Sequence, residues 1–172
     1  MSALGDPQQH DDLLNYQLKR LVTLGGAPAI RLCEGRYGVA RLEWRLVATL
    51  VEDGGMAPSA LAERMHLEPG RVSMAIKRLV TKGLVDRLEQ PGDRRRAVVR
   101  ASATGEQLYR QLFPQLAQIN RRILAALTED ETAQLEQTLR KLTERAQQIY
   151  DEGGGVEVRA NRHLGGSQRF WR

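Results

Sequence analysis

The sequence predicts a mainly α-helical fold that carries one small β-hairpin. Apolar residues recur every three or four positions through most of the chain, as they do along one face of a helix. Two shorter helical stretches in the middle of the chain are separated by a tight turn, and two β-type runs around a Pro-Gly-Asp turn follow them directly. A helix, a turn, a second helix and a hairpin in this order form a winged helix–turn–helix domain.

The composition is typical of a globular domain with appendages, since 41% of the 172 residues are hydrophobic and 27% are charged. No apolar run approaches the roughly 20 residues of a membrane span, and the first residues do not resemble a signal peptide. We therefore expect a cytoplasmic protein without a membrane partner. A single cysteine and three histidines without ligand spacing predict no metal and no cofactor. Neither a catalytic triad nor a phosphate-binding glycine loop is present in the sequence, so we do not expect an enzyme.

Positive charge is concentrated in the centre of the chain. The net charge is +5, but residues 64–100 alone contain ten Lys and Arg against four Asp and Glu. The C-terminal residues 153–172 contain four Arg against one Glu. Such concentration is typical of a nucleic-acid-binding face. A solvated basic surface without a partner is the alternative interpretation.

The periodicity divides the first hundred residues into three parts. Residues 1–10 show no periodicity and are expected to be disordered. Residues 11–40 predict a helix with a kink or break near "GGAP", residues 25–28, because glycine and proline disturb helices. Residues 41–102 contain the winged helix–turn–helix domain.

Two long helices are predicted after the hairpin, over residues 103–150. Ser102 or Thr104 caps the first of them, and Pro114 is expected to kink it. The capping box "TEDE", which begins at Thr128, opens the second. Residues 151–172 are rich in glycine and arginine, and we expect them to be disordered.

The second helix of the motif is the candidate DNA-reading helix, because a helix fits the major groove. It begins at Pro69, and Gly83 ends it. Its predicted buried stripe consists of Val72, Ile76, Leu79 and Val80. The side chains predicted to face the bases are Arg71, Ser73, Met74 and Lys77. Pro69, Gly70, Arg78 and, on the preceding helix, Ser59 complete the DNA-contacting set on the two helices.

The hairpin tip carries three consecutive arginines, Arg94, Arg95 and Arg96. Like charges at an exposed turn repel one another, so their presence indicates an anionic partner. A hairpin tip can enter the minor groove, where the negative potential attracts arginine. Asp93 can pair with one of these arginines and orient it. The alternative interpretation is a solubilising tip that protects a sheet edge.

The central stretch "LEWRLVATLVEDGGMAPSALAERMHLEPGRVSMAIKRLVTKGLVDRLEQPGDRRRAVVRASATG" resembles the core of the MarR family of bacterial transcriptional regulators. The matching marks are Trp44-Arg45, "LAERM", Val72-Ser73, Arg78-Leu79, "KGLV" at 82–85 and the segment 91–95. The resemblance implies a helical dimerisation domain beside the winged domain, formed by the regions 11–40 and 103–150 of two identical chains. It also implies that Asp93 and Arg95 matter most in the hairpin.

The resemblance further implies a function. A homodimer of this family binds a pseudo-palindromic DNA operator and acts as a transcriptional regulator, most often as a repressor that a small aromatic acid or phenol releases. The apolar positions expected in the dimer interface are Leu116, Ile119, Ile123, Leu124, Leu127, Leu135, Leu139, Leu142 and Ile149. Three sites depart from the family pattern. Ala101-Ser102 stands where Leu-Thr is frequent, although Ser102 keeps the capping hydroxyl. Met74 stands where a basic residue is common, and Ala57 stands where many members have a capping threonine.

The family resemblance places the effector site between the dimerisation helices and the winged domain. The candidate residues there are Tyr16, Arg20, Arg36, Trp44 and Arg45. Trp44 is also a candidate core residue, and both Arg20 and Arg36 are also candidates for solvated surface. Cys33 is interpreted as a packing residue rather than a redox sensor, because the sequence contains no second cysteine.

A second function class is also compatible with the sequence. A winged-helix domain can use its basic face to bind an acidic protein partner instead of DNA. A strongly salt-dependent preference for one palindromic duplex distinguishes the regulator from such an interaction module.

Overall fold

The computed structural model describes residues 2–90 and 93–153, with side chains described for 2–88 and 97–153. The described residues form six α-helices and one antiparallel hairpin, which confirms the predicted fold class. The bounds are α1 Leu14–Arg31, α2 Arg41–Glu52, α3 Pro58–Arg64, α4 Pro69–Thr81, β1 Val85–Gln90, β2 Asp93–Ala101, α5 Ala103–Leu124 and α6 Glu129–Asp151. The tail 154–172, for which disorder is predicted, lies outside the described residues. Residues 2–9 are exposed and irregular, and a 3₁₀ turn at His10–Asp12 leads into α1.

The core lies mainly in the winged helix–turn–helix domain and the first half of α5, and Cys33 and Val39 before α2 also belong to it. Side chains from α2, α3, α4, β2 and α5 meet there. The completely buried ones include Leu46, Val47, Leu61, Val72, Leu79, Val99 and Leu112. Met56, which precedes α3, exchanges two backbone hydrogen bonds with Val99 and adds a short third strand segment to the hairpin. The domain therefore has one continuous hydrophobic core.

The predicted buried stripe of α4 is right at three positions and wrong at one. Val72, Ile76 and Leu79 are buried, whereas Val80 is 42% exposed. Ala75 takes the fourth buried position. Val80 lies about 100° further around the helix than Leu79, which turns its side chain away from α2.

The predicted break at residues 25–28 is wrong, because α1 continues through them to Arg31 and a π-helical turn extends it to Arg36. The two glycines serve close packing instead of a turn. A Cβ atom at Gly25 would lie 2.9 Å from the Ile123 side chain, and one at Gly26 would lie 2.7 Å from the Arg41 guanidinium. Pro28 lies on the exposed side of α1, where water can satisfy the carbonyl that it leaves unbonded.

Backbone contacts join the end of α4, the base of the hairpin and the start of α5. Gly83 ends α4 with a φ of 68°, a left-handed conformation that favours glycine. Ser102 caps α5 by accepting a hydrogen bond from the Gly105 N–H at 3.0 Å, and its hydroxyl donates to the Gly83 carbonyl at 2.6 Å. A Cβ atom at Gly105 would lie only 2.1 Å from the Leu84 carbonyl oxygen. This junction has no free space.

The long helices α5 and α6 follow the predicted signals. Helix α5 continues through Pro114 without a break. At the start of α6 the predicted capping box is confirmed, since Thr128 and Glu131 each accept the other's backbone N–H. Among the described residues, no helix is both long and apolar enough to cross a membrane.

Candidate nucleic-acid interface

Helix α4 has one buried and one exposed face, and the exposed face carries the predicted base-contacting residues. Proline at its first position fits the helix start, where no intrahelical N–H bond is needed. Val72, Ala75, Ile76 and Leu79 fix the buried face against the core. Packing of the buried face therefore fixes the orientation of the exposed face, and the exposed side chains are not needed for it.

The structure brings most of the predicted α4 residues together on this exposed face. Arg71, Ser73 and Lys77 are exposed, and Met74 is 56% exposed. Pro69 and Gly70 lie at the exposed helix start, and Ser59 is exposed on the second residue of α3. Two cations, one hydroxyl and one thioether thus face outward over about two helical turns. These groups can donate hydrogen bonds to phosphates and base edges and can contact thymine methyl groups.

The start of α3 lacks a capping side chain, as the sequence predicts. Ala57 is the N-cap of α3 and offers no side-chain hydrogen bond to the helix start. Proline at position 58 leaves one fewer N–H to satisfy, which reduces the cost of a missing cap.

The hairpin follows α4 directly in the sequence. Strands β1 and β2 pair antiparallel from Val85↔Ala101 to Gln90↔Asp93, with a register shift after Leu88. The side chains of Asp93, Arg94, Arg95 and Arg96 lie outside the described residues. Their predicted contacts with DNA stay predictions.

A buried carboxylate that the sequence analysis did not single out is hydrogen-bonded to the C-terminal end of α4. The Glu43 side chain is only 2% exposed. Its Oε1 accepts a hydrogen bond from Arg78 Nε at 2.9 Å, and its Oε2 accepts from Lys82 Nζ at 2.7 Å. The Ala40 N–H also donates to Oε2, at 3.0 Å. Arg78, predicted to contact DNA, is therefore engaged within the protein.

Charge and hydrogen bonds keep Glu43 ionised despite its burial. Burial alone raises the pKa of this carboxyl group, but the hydrogen bonds from Lys82, Ala40 and Arg78 outweigh that effect and hold its pKa below the ordinary value of 4.5. The sequence contained a signal for this burial, because Glu43 lies three, four and seven positions before the buried residues Leu46, Val47 and Leu50.

The five predicted effector residues do not meet in one chain. Tyr16 lies at the start of α1, where its ring packs edge-on against His10 with a distance of 4.2 Å between the ring centroids. Arg20 is exposed one turn further along the helix. Arg36 lies at the other end of the same helical segment, about 30 Å from Tyr16 along the axis. There it donates to Gln115 Oε1 at 3.2 Å.

The other two candidates lie on α2. Trp44 is buried and stacks on Tyr109 at a centroid distance of 5.6 Å, as a core residue does. Arg45 is exposed, yet loss of water and repulsion from Arg41 and Arg71 lower the pKa of its guanidinium. Arg41 and Arg71 therefore lie close enough to add positive charge around this arginine. The Cys33 side chain is fully buried, as a packing residue would be, and burial raises the pKa of its thiol.

A groove of about 280 Å³ lies elsewhere, between the turn before α4 and the end of α6. Leu67, Glu68 and Pro69 line one side, and Gln147, Tyr150 and Asp151 line the other. None of the five predicted effector residues lines it. Among the described residues, no cluster of three or more His, Cys, Asp or Glu could hold a metal ion.

The chain is similar in sequence to known transcriptional regulators. The sequence profile described as the MarR family matches residues 37–96, which span α2 to the hairpin tip. The HTH-type transcriptional repressor MdtR of Bacillus subtilis is 29% identical over 112 residues, which make up 65% of this chain and 72% of that protein. The curated proteins that this chain matches are named as regulators and not as enzymes.

The fold is also that of solved regulators. The structure of the S. aureus MepR–DNA complex superposes with a TM-score of 0.69 at 18% identity, covering 77% of this chain and 98% of that one. A structure of Bordetella bronchiseptica BpsR, whose DNA binding is regulated by 6-hydroxynicotinic acid, gives a TM-score of 0.69 at 19% identity and covers 80% of this chain and 97% of that one.

Proposed function

Because the chain belongs to the MarR family of transcriptional regulators, we propose that it is a homodimeric repressor that binds a pseudo-palindromic operator and is released by a small aromatic acid or phenol. The observation that carries the proposal is the exposed face of α4. Arg71, Ser73, Met74 and Lys77 point away from a packed core, directly before a hairpin whose tip sequence contains three arginines. This arrangement suits a duplex, with α4 in the major groove and the hairpin on the minor groove.

The apolar faces of α1 and α6 support the dimer. Helix α6 has 23 residues, and none of them is buried within the chain. Leu135, Leu139, Leu142 and Ile149 form a stripe on it in which each residue is 36–41% exposed. Leu21, Val22 and Leu24 of α1 are more than half exposed. Most helical stability in proteins comes from packing of an amphipathic face, so a second copy of the chain is the natural cover for this one.

Two-fold symmetry sets the form of the operator. Each copy presents one α4 and one hairpin, so the two half-sites are inverted repeats of each other. Their centres lie about 34–36 Å apart if both α4 helices enter successive major grooves on one side of the duplex.

An aromatic acid as effector is supported by BpsR, which has the same fold and responds to 6-hydroxynicotinic acid. The carboxylate of an aromatic acid bound inside the protein needs a cationic partner, and its ring needs an apolar wall. Arg45, which has Arg41 and Arg71 as neighbours, provides the positive environment. Along the helix axis Tyr16 lies about 30 Å and Arg20 about 24 Å from Arg36. These two residues can therefore join a site that includes Arg36 only from the partner chain.

The proposal is tested by fluorescence anisotropy titrations of the full chain against its own upstream DNA and against random duplex over a series of salt concentrations. Lys77→Ala and Arg95→Ala are the test variants, and Lys141→Ala, which removes an equal charge from the exposed surface of α6, is the matched control. We expect each test variant to weaken operator binding by about tenfold or more, which corresponds to about 1–3 kcal/mol for a base or phosphate contact. Lys141→Ala should bind like the wild type.

Two results would contradict the proposal. If the wild type binds every duplex equally or binds none, the basic face serves a different partner, such as an acidic protein. If both test variants keep wild-type affinity, α4 and the hairpin do not form the interface. Addition of aromatic acids to the wild-type complex then tests the effector, whose expected result is release of the operator.

A further inference from the structure

The linker 37–40, which joins the N-terminal helical segment to α2, is bonded directly to the end of α4. Lys82, the C-cap of α4, donates from Nζ to the Gly38 carbonyl at 2.8 Å. The Ala40 N–H donates to Glu43, which in turn binds Lys82 and Arg78. One buried carboxylate and one ammonium group therefore hold the linker and α4 together.

The other end of this linker is bonded to α5. Gln115 of α5 donates to the Tyr37 hydroxyl and accepts from Arg36. Between these two attachments the Val39 side chain is buried, and its N–H donates to the Cys33 carbonyl at 3.0 Å. Hydrogen bonds thus attach the linker to α5 at Tyr37 and to the end of α4 at Gly38.

Stability alone does not explain a carboxylate at this position. Removing a carboxylate from water is costly, and well-packed apolar residues often serve stability as well as a buried ion pair does. What the ion pair supplies is a fixed relative orientation, because charged hydrogen bonds of defined geometry allow only one arrangement of the groups that they join. At Glu43 the groups joined are the linker and α4.

We propose that Glu43 is a positioning residue for DNA binding: through Lys82 and Arg78 it couples the linker 37–40 to α4, so that the N-terminal helical segment sets the direction in which α4 presents its exposed face. The proposal rests on the function proposed above. Arg78 and Lys82 then serve this coupling and are not the cations that neutralise DNA phosphates.

Hydrogen exchange in the absence of DNA tests the coupling itself. Glu43→Gln keeps the side-chain shape but removes the charge, and Lys82→Met removes the ammonium group and provides a second variant if the first does not fold. The matched control is Asp53→Asn, which changes another ion-paired carboxylate at the end of α2 whose partner, Arg64, lies on α3. We expect the amides of 38–40 and those of the last turn of α4 to exchange about tenfold faster or more in both test variants.

The control should leave both segments unchanged. If neither segment changes in the test variants, or if exchange increases at the altered residue alone, the coupling does not exist. The result requires no DNA and stands apart from the proposed function.

Binding to specific and random duplex then tests the consequence for recognition. In Glu43→Gln the orientation of α4 is no longer fixed, so this variant should bind the operator about tenfold more weakly. Random duplex should bind at least as well as before, and the salt dependence should steepen by about 0.9 for each freed cation that reaches a phosphate. If Lys82→Met instead weakens both duplexes equally and reduces the salt slope by about one, Lys82 contacts phosphate directly and the assignment is overturned. Failure of the wild type to prefer any duplex refutes the proposed function, whereas the exchange result decides the coupling.

Discussion

Glu43→Gln should lower the free energy of unfolding as well as disturb DNA binding. The carboxylate accepts three hydrogen bonds, two of them from cations, and almost no water reaches it. An amide at the same place keeps one acceptor oxygen. Its NH₂ group faces Arg78 or Lys82, neither of which can accept a hydrogen bond.

The magnitude follows from the exposure of the partners. Removing one member of a fully buried ion pair costs about 3–5 kcal/mol. Arg78 and Lys82 have side chains 51% and 37% exposed, so their charges return to water when Glu43 is replaced. We therefore expect a loss of about 2–3 kcal/mol, below the range for a fully buried pair. For a chain of this length the melting temperature should fall by about 4–12 °C.

The loss should also depend on pH, because the pKa of Glu43 is lowered in the folded state. A carboxyl group of this kind stabilises the fold fully above its unfolded pKa, about 4.5, and its contribution disappears as pH falls through the lower folded value. The difference between wild type and variant should be complete at pH 7 and should shrink below pH 4.5.

Thermal unfolding followed by circular dichroism, at one protein concentration and several pH values, measures this difference. Asp53→Asn is the control, since its pair with Arg64 is exposed and should contribute at most about 1 kcal/mol. If Glu43→Gln melts within the range of Asp53→Asn at pH 7, the buried ion pair does not stabilise the domain.

Three further predictions concern the dimer, the cysteine and a helix cap. Leu139→Asp should give a monomer by light scattering, because a charge in the apolar stripe of α6 opposes burial of that stripe. The control Lys141→Asp should stay dimeric, and a dimer in both variants would contradict the assigned interface. The buried Cys33 thiol, with its raised pKa, should react with a thiol reagent in minutes only after denaturation, and rapid labelling of the native protein would contradict its burial. Ser102→Ala should cost about 1 kcal/mol in thermal unfolding, because it removes the acceptor of the Gly105 N–H, and an unchanged melting temperature would show that this cap contributes nothing.

Local rules predicted most of the secondary structure. Pro69 and Gly83 bound α4, Ser102 begins α5, and the pair Thr128 and Glu131 begins α6, because each signal acts within one helical turn. The break expected at residues 25–28 failed for a tertiary reason. Gly25 and Gly26 leave room for Ile123 and Arg41, which are distant in sequence, so composition alone could not distinguish packing from a turn.

The candidate site was predictable where it depends on one helix and not where it depends on contacts between helices. Periodicity alone placed Arg71 and Lys77 on the exposed face of α4. It could not show that Arg78, also off the buried stripe, binds Glu43 of a helix 35 positions earlier. One copy of the chain does not bring the candidate effector residues together, and their grouping stays a prediction.

The tight junction at Gly105 and Leu84 has a consequence for the DNA that such a dimer can accept. With the α4 end, the hairpin base and the α5 start in backbone contact, the winged domain cannot swivel about the first turn of α5. One additional base pair between half-sites would rotate the second half-site by about 35° around the duplex axis. If the chain binds DNA as the proposed dimer, the missing hinge at α5 leaves the duplex to absorb this rotation by untwisting or bending. Operators with a flexible central sequence should then tolerate altered spacing best.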